Sequence, residues 1–215
     1  MMTKPRTVTR ASAPAGRRLR AVESFRDAAD CIGPVHAGMS VFAITRGQFS
    51  MIDAVLHVLA ATGPAKVSIW TWNIADYEID VFTAMMRDER VTAGRLVIDL
   101  SARARNAALI AGWRDLFGAE SVRTVRNHAK IATVEGGGLR VLLRGSMNLN
   151  HNPRFEQLDV TEGGPDFDMV REIENEIEIL PPDASCADVD RVSKVADAFG
   201  AETLDMFKGL KTWAK

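Results

Sequence analysis

His128-Ala129-Lys130-Ile131-Ala132-Thr133-Val134-Glu135-Gly136-Gly137-Gly138-Leu139-Arg140-Val141-Leu142-Leu143-Arg144-Gly145-Ser146-Met147-Asn148 is the stretch that decides the fold. Aliphatic and β-branched residues on both sides of a glycine cluster predict a hairpin. Its first strand spans Ala129 to Val134, its turn Glu135 to Gly138, and its return strand Leu139 to Arg144. Residues two apart in a strand share a face, so His128 and Lys130 project together, and Ser146 and Asn148 approach from just past the return strand. An imidazole is a nucleophile near neutral pH, and an ammonium neutralises non-bridging oxygens. A hydroxyl and an amide add hydrogen bonds as charge gathers in a transition state. The four groups together suit a phosphoryl centre and require no metal.

Outward from the hairpin the chain alternates strand and helix. Val41 to Thr45 reads as a strand, Gln48 to Ala61 as an amphipathic helix, Lys66 to Trp72 as a strand and Asp76 to Arg90 as a helix. Arg95 to Leu100 follows as a strand, Arg105 to Phe117 as a helix, and Val122 to Val125 as the strand that leads into the hairpin. This order predicts an α/β fold with a mixed β-sheet flanked by helices on both faces. After Gly163-Gly164-Pro165, the residues Phe167, Val170, Ile173 and Ile177 recur at helical spacing over Asp166 to Ile177, and Pro181-Pro182 closes that helix. A C-terminal helical extension is expected over 183–215, with helical periodicity from Ala187 to Trp213 broken at Gly200.

Ligands of such sheets bind outside the carboxyl ends of strands. The segment from Trp70 to Tyr77 lies at one such end, so Trp72 and Asn73 are candidate substrate contacts, with Tyr77 beside them. Arg123, Arg126, Arg144 and Arg154 cluster in sequence around the motif and are expected to contribute positive field, Arg154 by direct substrate contact. His57, inside an apolar helix, reads as a packed or structurally hydrogen-bonded residue. His36 has no visible company, and His151 is a rim candidate three positions past Asn148.

The motif resembles that of the phospholipase D superfamily, whose signature is His-x-Lys, four residues, an aspartate, then a short run to Gly-Ser-x-Asn. Here the acidic position falls on Glu135, a longer carboxylate, and the run to Gly145 is longer than is usual in the family. The resemblance extends loosely over 35–180 as a catalytic domain and implies a phospholipase D-like fold. It assigns His128, Lys130, Ser146 and Asn148 to catalysis, and Glu135 and Gly145 to local structure. It also implies Glu156 as the carboxylate that orients the histidine, with Glu162 as the less favoured substitute. The family builds each site from two motif copies. This chain carries one, so a homodimer completing the active site is implied, with no cofactor and no metal.

At 215 residues and 47% hydrophobic content, the chain suffices for one sizeable core. Its net charge is −1, yet the first twenty residues hold Lys4, Arg6, Arg10, Arg17, Arg18 and Arg20 and no acid. Residues 1–22 are therefore expected to be a disordered basic arm, either touching nucleic acid or merely solubilising. No apolar run follows the arginines and no stretch is long enough to span a membrane, so a cytoplasmic setting is expected. Cys31 and Cys186 read as free thiols.

The expected function is a metal-independent phosphodiesterase working through a covalent phosphohistidine, of nuclease type. Two alternatives stay open. One is a non-catalytic dimeric module binding nucleic acid or protein, and the other is a phospholipid phosphodiesterase or transferase using the same intermediate. The acidic body weighs against a long nucleic-acid groove, because backbone binding normally needs many basic residues.

Overall fold

Consecutive apolar residues in the central strands, such as Leu96-Val97-Ile98 and Val141-Leu142-Leu143, give one sheet two covered faces. The computed structural model describes residues 16–21, 26–72, 74, 76–149 and 153–193, with the backbone alone at 76–79. In chain order the elements are β1 (Arg17–Arg20), α1 (Ala28–Ile32), β2 (Ser40–Thr45), α2 (Met51–Thr62), β3 (Ala65–Thr71), α3 (Asp76–Arg87), β4 (Val91–Asp99) and α4 (Leu100–Arg103). There follow α5 (Ala107–Phe117), β5 (Val122–Val125), β6 (Lys130–Gly136), β7 (Leu139–Gly145), β8 (Glu156–Glu162), α6 (Pro165–Glu176) and α7 (Cys186–Ser193). The strands form an eight-stranded sheet in the order β1-β2-β8-β7-β6-β3-β4-β5. β1 and β2 are parallel, as are β3, β4 and β5, while the central β2-β8-β7-β6-β3 pairings are antiparallel. The α/β fold with a mixed sheet covered on both faces is as expected.

The two faces separate cleanly by residue parity. In β7, Val141 and Leu143 join the main core with Leu96 and Ile98 of β4, whereas Leu142 and Val97 face the other way. The first face is covered by α2, α3 and α5, which bury Val55, Leu59, Phe82 and Trp113. On the second face Phe167 and Val170 of α6 pack with Leu142, and Val189 and Val192 of α7 pack with Val97 and Val125. The start of the C-terminal extension is thus part of the sheet's own cover; 194–215 lie outside the described residues.

Helix α2 starts later than its apolar pattern predicts, because Ser50 caps it. The Ser50 amide donates to Asp53 Oδ2 at 2.8 Å, and the Ser50 side chain accepts from the Asp53 amide. The hairpin turns at Gly137 and Gly138, whose φ values of 57° and 78° fit a two-residue turn of the primed type.

The basic arm needs correction at its inner end. Arg17–Arg20 is a strand paired with Ser40–Ala43, so the expectation of disorder over 1–22 fails there, while 1–15 lie outside the described residues. The cause is a tertiary one that charge counting misses. The edge of β2 offers unpaired backbone groups, Arg17 ion-pairs with Asp159, and the Arg17 guanidinium lies 5.5 Å from the centroid of Phe42.

Helix α6 also departs from its sequence reading. Its buried positions are Phe167, Val170 and Glu174, while Ile173 is 42% exposed. The Glu174 carboxylate accepts from Trp70 Nε1 at 2.7 Å, Arg171 Nη1 at 2.6 Å, Arg95 Nη1 at 3.2 Å and the Ser68 hydroxyl. A fully hydrogen-bonded carboxylate takes the inward position that periodicity assigned to an isoleucine.

Candidate functional site

The sheet's mixed topology brings several element ends to one edge. β2, β3, β4, β5 and β7 finish there, and β6 and β8 begin there, as the registers Thr45↔Glu156, Gly145↔Leu158, Lys130↔Gly145, Trp70↔Ile131 and Asp99↔Val125 show. The residues of the motif lie along this edge.

Lys130 opens β6 and is 8% exposed, while His128, two residues earlier, is exposed. The Lys130 ammonium donates to the His128 carbonyl at 2.7 Å and lies 3.1 Å from Nδ1 and 3.2 Å from Nε2 of its ring. Nearly equidistant from both ring nitrogens, the ammonium lies against the His128 ring as a whole rather than on one lone pair. Burial pushes the Lys130 amine below its ordinary 10.5, and the negative charge of Glu156 works in the opposite sense.

Three outside contacts hold the connector that carries His128. Asp99, at the end of β4, accepts from the Asn127 amide at 2.8 Å, and Asn127 clamps Ala129 from both sides, with Oδ1 on its amide at 2.9 Å and Nδ2 on its carbonyl at 3.2 Å. The Arg126 amide donates to Ser193 Oγ at 2.8 Å and its guanidinium to Asp190 at 2.7 Å, both on α7. Burial pushes the Asp99 carboxyl up, but hydrogen bonds from the Ser101 hydroxyl and from the Asn127 and Ser101 amides, with Arg126 adding attraction, hold it below 3.8. Neither Asp99 nor Asn127 stands out in sequence. The signal that existed was an aspartate at a strand's carboxyl end.

On the other side of β6, Gly145 ends β7 against β8. A Cβ there would collide with the Gln157 carbonyl oxygen, so only glycine permits this approach. That contact brings Ser146 to β8. Its amide donates to the Gln157 carbonyl at 3.2 Å, its hydroxyl accepts from the Gln157 amide at 3.0 Å, and the same hydroxyl donates to Glu156 Oε2. Glu156 therefore meets Ser146 within the chain, and the polar group against the His128 ring is Lys130. Asn148 is half-buried, with an Oδ1 that has no hydrogen-bond partner.

Other candidates sort plainly. Glu135 lies at the far end of β6, in register with Lys66 and Arg140, and so belongs to the hairpin rather than to the site. Trp72 is 37% exposed with its ring centroid 5.9 Å from that of His128. Asn73 and His151 lie outside the described residues, as do the side-chain contacts of Tyr77. His57 Nε2 bonds the Gly33 carbonyl at 2.8 Å, a structural role as expected, and exposed His36 meets the carbonyl of Ala37.

The arginine field needs correction. Arg123 is buried on the carbonyls of Ile177 and Glu120, Arg126 is paired with Asp190, and Arg144 is paired with Asp166 and Asp159. Burial, with Arg95 nearby, also lowers the pKa of Arg123. Sequence proximity to the motif put these three side chains near the strands, where backbone carbonyls hold Arg123 and acidic neighbours pair Arg126 and Arg144. Arg154 stays exposed beside Phe155. Two arginines that sequence reasoning passed over stand at the edge instead. Arg46 lies 5.4 Å from the ring centroid of Phe155, and Arg105 lies 5.9 Å from that of Trp72. A recess of about 240 Å³ lined by Ile44, Ser146, Phe155, Glu156 and Gln157 adjoins the motif.

Among the described residues no cluster of His, Cys, Asp and Glu is placed to hold a metal ion, and no helix is long and apolar enough to cross a membrane. Cys31 and Cys186 are free thiols; Cys31 is buried, which pushes its pKa up to about 12.

Fold and site together define an α/β protein with a histidine, a buried lysine, a serine and an asparagine along one sheet edge. No family model and no curated protein matches the chain. Among solved structures it is similar to the polyphosphate kinase of Porphyromonas gingivalis, with a TM-score of 0.44 and 14% identity over 80% of this chain. The chain spans 31% of that kinase, and a likeness this distant assigns neither family nor activity.

Proposed function

We propose that the chain is a metal-independent phosphodiesterase of the phospholipase D-like, nuclease type, working through a covalent phosphohistidine. The observation that carries this reading is the buried Lys130 ammonium against the ring of exposed His128, one strand away from Ser146. An ammonium already desolvated beside a nucleophile can neutralise the non-bridging oxygens of a diester at little reorganisation cost. The neutral His128 ring nitrogen attacks phosphorus, an N–P bond forms, and the bond to the leaving oxygen breaks. The leaving oxygen takes its proton from the His128 of a second copy, which then accepts a proton from the water that cleaves the N–P bond. Asn148 supplies amide hydrogen bonds to the phosphoryl oxygens, and Glu156 holds the Ser146 hydroxyl that supports them.

One motif copy provides one histidine and the two steps use two, so the reading includes a homodimer with the site on its two-fold axis. The free thiols suit a reducing, cytoplasmic setting.

The test is hydrolysis of bis-p-nitrophenyl phosphate and of labelled DNA in EDTA, comparing the native chain with His128→Ala at matched folding and dimer content. The expected result is activity that survives EDTA and falls at least about 10³-fold in the variant. Activity retained in His128→Ala would falsify the mechanism.

A further inference from the structure

Two exposed aromatic rings border the motif, and each is accompanied by a guanidinium. Trp72 continues β3 next to His128, with Arg105 at its ring; Phe155 precedes β8, is 67% exposed, and has Arg46 at its ring. Neither Arg46 nor Arg105 belongs to an ion pair among the described residues, in contrast to Arg126 and Arg144. From these pairs we infer that the substrate is a single-stranded nucleic acid whose bases, on either side of the scissile phosphate, stack on Trp72 and Phe155. The inference rests on the reading of this edge as a phosphodiester site and names the substrate that the site takes.

The sheet order sets the spacing. From β3 to β8 the path crosses β6 and β7, three strand steps that amount to about 14 Å. Lys130 opens β6 with His128 two residues before it, and Ser146 directly follows β7, so the phosphoryl-binding groups lie on the two strands between those that carry the rings. A base lies flat on an exposed side-chain ring only once it has left its neighbours in the stack, which an unpaired strand permits and a duplex resists. The guanidiniums fit the same ligand. Each lies over a ring that remains partly exposed, where it adds positive charge for a backbone phosphate. An aromatic ring meant for the acyl region of a lipid surface would not carry a charged group there. The acidic body no longer counts against nucleic acid, because a short stacking site needs few cations where a long groove needs many.

The test uses the full chain carrying His128→Ala, in EDTA, so that the ligand survives. The probes are a labelled oligothymidylate of about 12 nucleotides, the same strand paired with oligoadenylate, and phosphatidylglycerol vesicles. The single strand is expected to bind more tightly than the duplex. Trp72→Ala and Phe155→Ala should each weaken it by about 5- to 150-fold, with most of the loss recovered in Trp72→Phe and Phe155→Tyr. Arg46→Gln and Arg105→Gln should each reduce the salt dependence of binding by about 0.7 in log–log slope. No binding of the single strand, equal affinity for the duplex, alanine variants that bind as before, or capture by vesicles in place of the oligonucleotide overturns the inference. The two readings fail separately. If the native chain hydrolyses no diester yet shows this binding pattern, the catalytic reading falls and the inference stands; His128-dependent hydrolysis without the strand preference does the reverse.

Discussion

At the scale of single residues, Lys130 carries the most testable electrostatics. Burial lowers its pKa from 10.5, so the folded chain releases this proton at a lower pH than the unfolded chain does. Between the folded value and 10.5 the unfolded state binds more protons, and stability attributable to this residue therefore rises with pH across that window. Urea unfolding of the native chain and Lys130→Met from pH 8 to 10.5 should show the difference moving in favour of the native chain as pH increases; a flat difference would mean that Lys130 is not desolvated. Activity should respond in the opposite direction, falling as pH rises through the folded value, because only the ammonium neutralises phosphate. The motif residues were legible because their chemistry is concentrated in a few side chains at fixed spacing. Asp99 and Asn127, which position the histidine connector, were not, since their work is done on backbone groups that any sequence supplies. Arg123 and Arg144 misled for a related reason: charge can be counted in a sequence, but whether it is buried on carbonyls, as at Arg123, or ion-paired, as at Arg144, depends on neighbours distant in the chain.

At the scale of elements, the approach of β7 to β8 governs where Ser146 stands. Gly145→Ala would drive a methyl group into the Gln157 carbonyl, and the two strands must separate to admit it. The expected cost is roughly 1–3 kcal/mol, read as a fall in Tm of about 2–12 °C. Gly112 makes a useful contrast, for it lies within α5 with open space where its Cβ would be. Gly112→Ala should stabilise by about 0.5–1 kcal/mol, so the same substitution changes sign with context. Equal effects at both sites would refute the packing argument for the glycine of the motif. Most elements were readable for the reason this pair illustrates: strands with alternating apolar residues and helices with a clear apolar stripe obey local rules. α1, α4 and β8 had no counterpart in the sequence reading, whereas the hairpin, β5 and the alternation of strands and helices from β2 to α3 follow directly. β1 did not, because four residues containing three arginines become a strand only when β2 presents an open edge and Asp159 an opposite charge.

At the scale of the whole molecule, one buried carboxylate couples the second face of the sheet to the site edge. Glu174 on α6 is fully buried and gathers Ser68 and Trp70 of β3, Arg95 of β4 and Arg171 of its own helix. Trp70 lies two residues before Trp72, so the strand that presents a ring beside His128 is fastened from behind by this network. Removing the carboxylate takes the shared acceptor from two guanidiniums, a hydroxyl and an indole N–H, with Arg95 keeping its bond to Asn175. The guanidiniums retain partial access to water, with 22% and 28% of their side chains exposed, which softens the loss. Glu174→Ala should therefore destabilise by about 3 kcal/mol, the lower end of the range for breaking a buried ion pair. Glu174→Gln should lose less, since its amide oxygen still accepts from Ser68 or Trp70. Hydrogen exchange distinguishes this from general loosening: protection should fall first in α6 and in β3, and only later in β2 and α2 on the opposite face. A loss spread evenly over both faces would show that Glu174 is simply one more buried group. A loss confined to α6 and β3 would tie the geometry at Trp72 to a residue on the far side of the sheet.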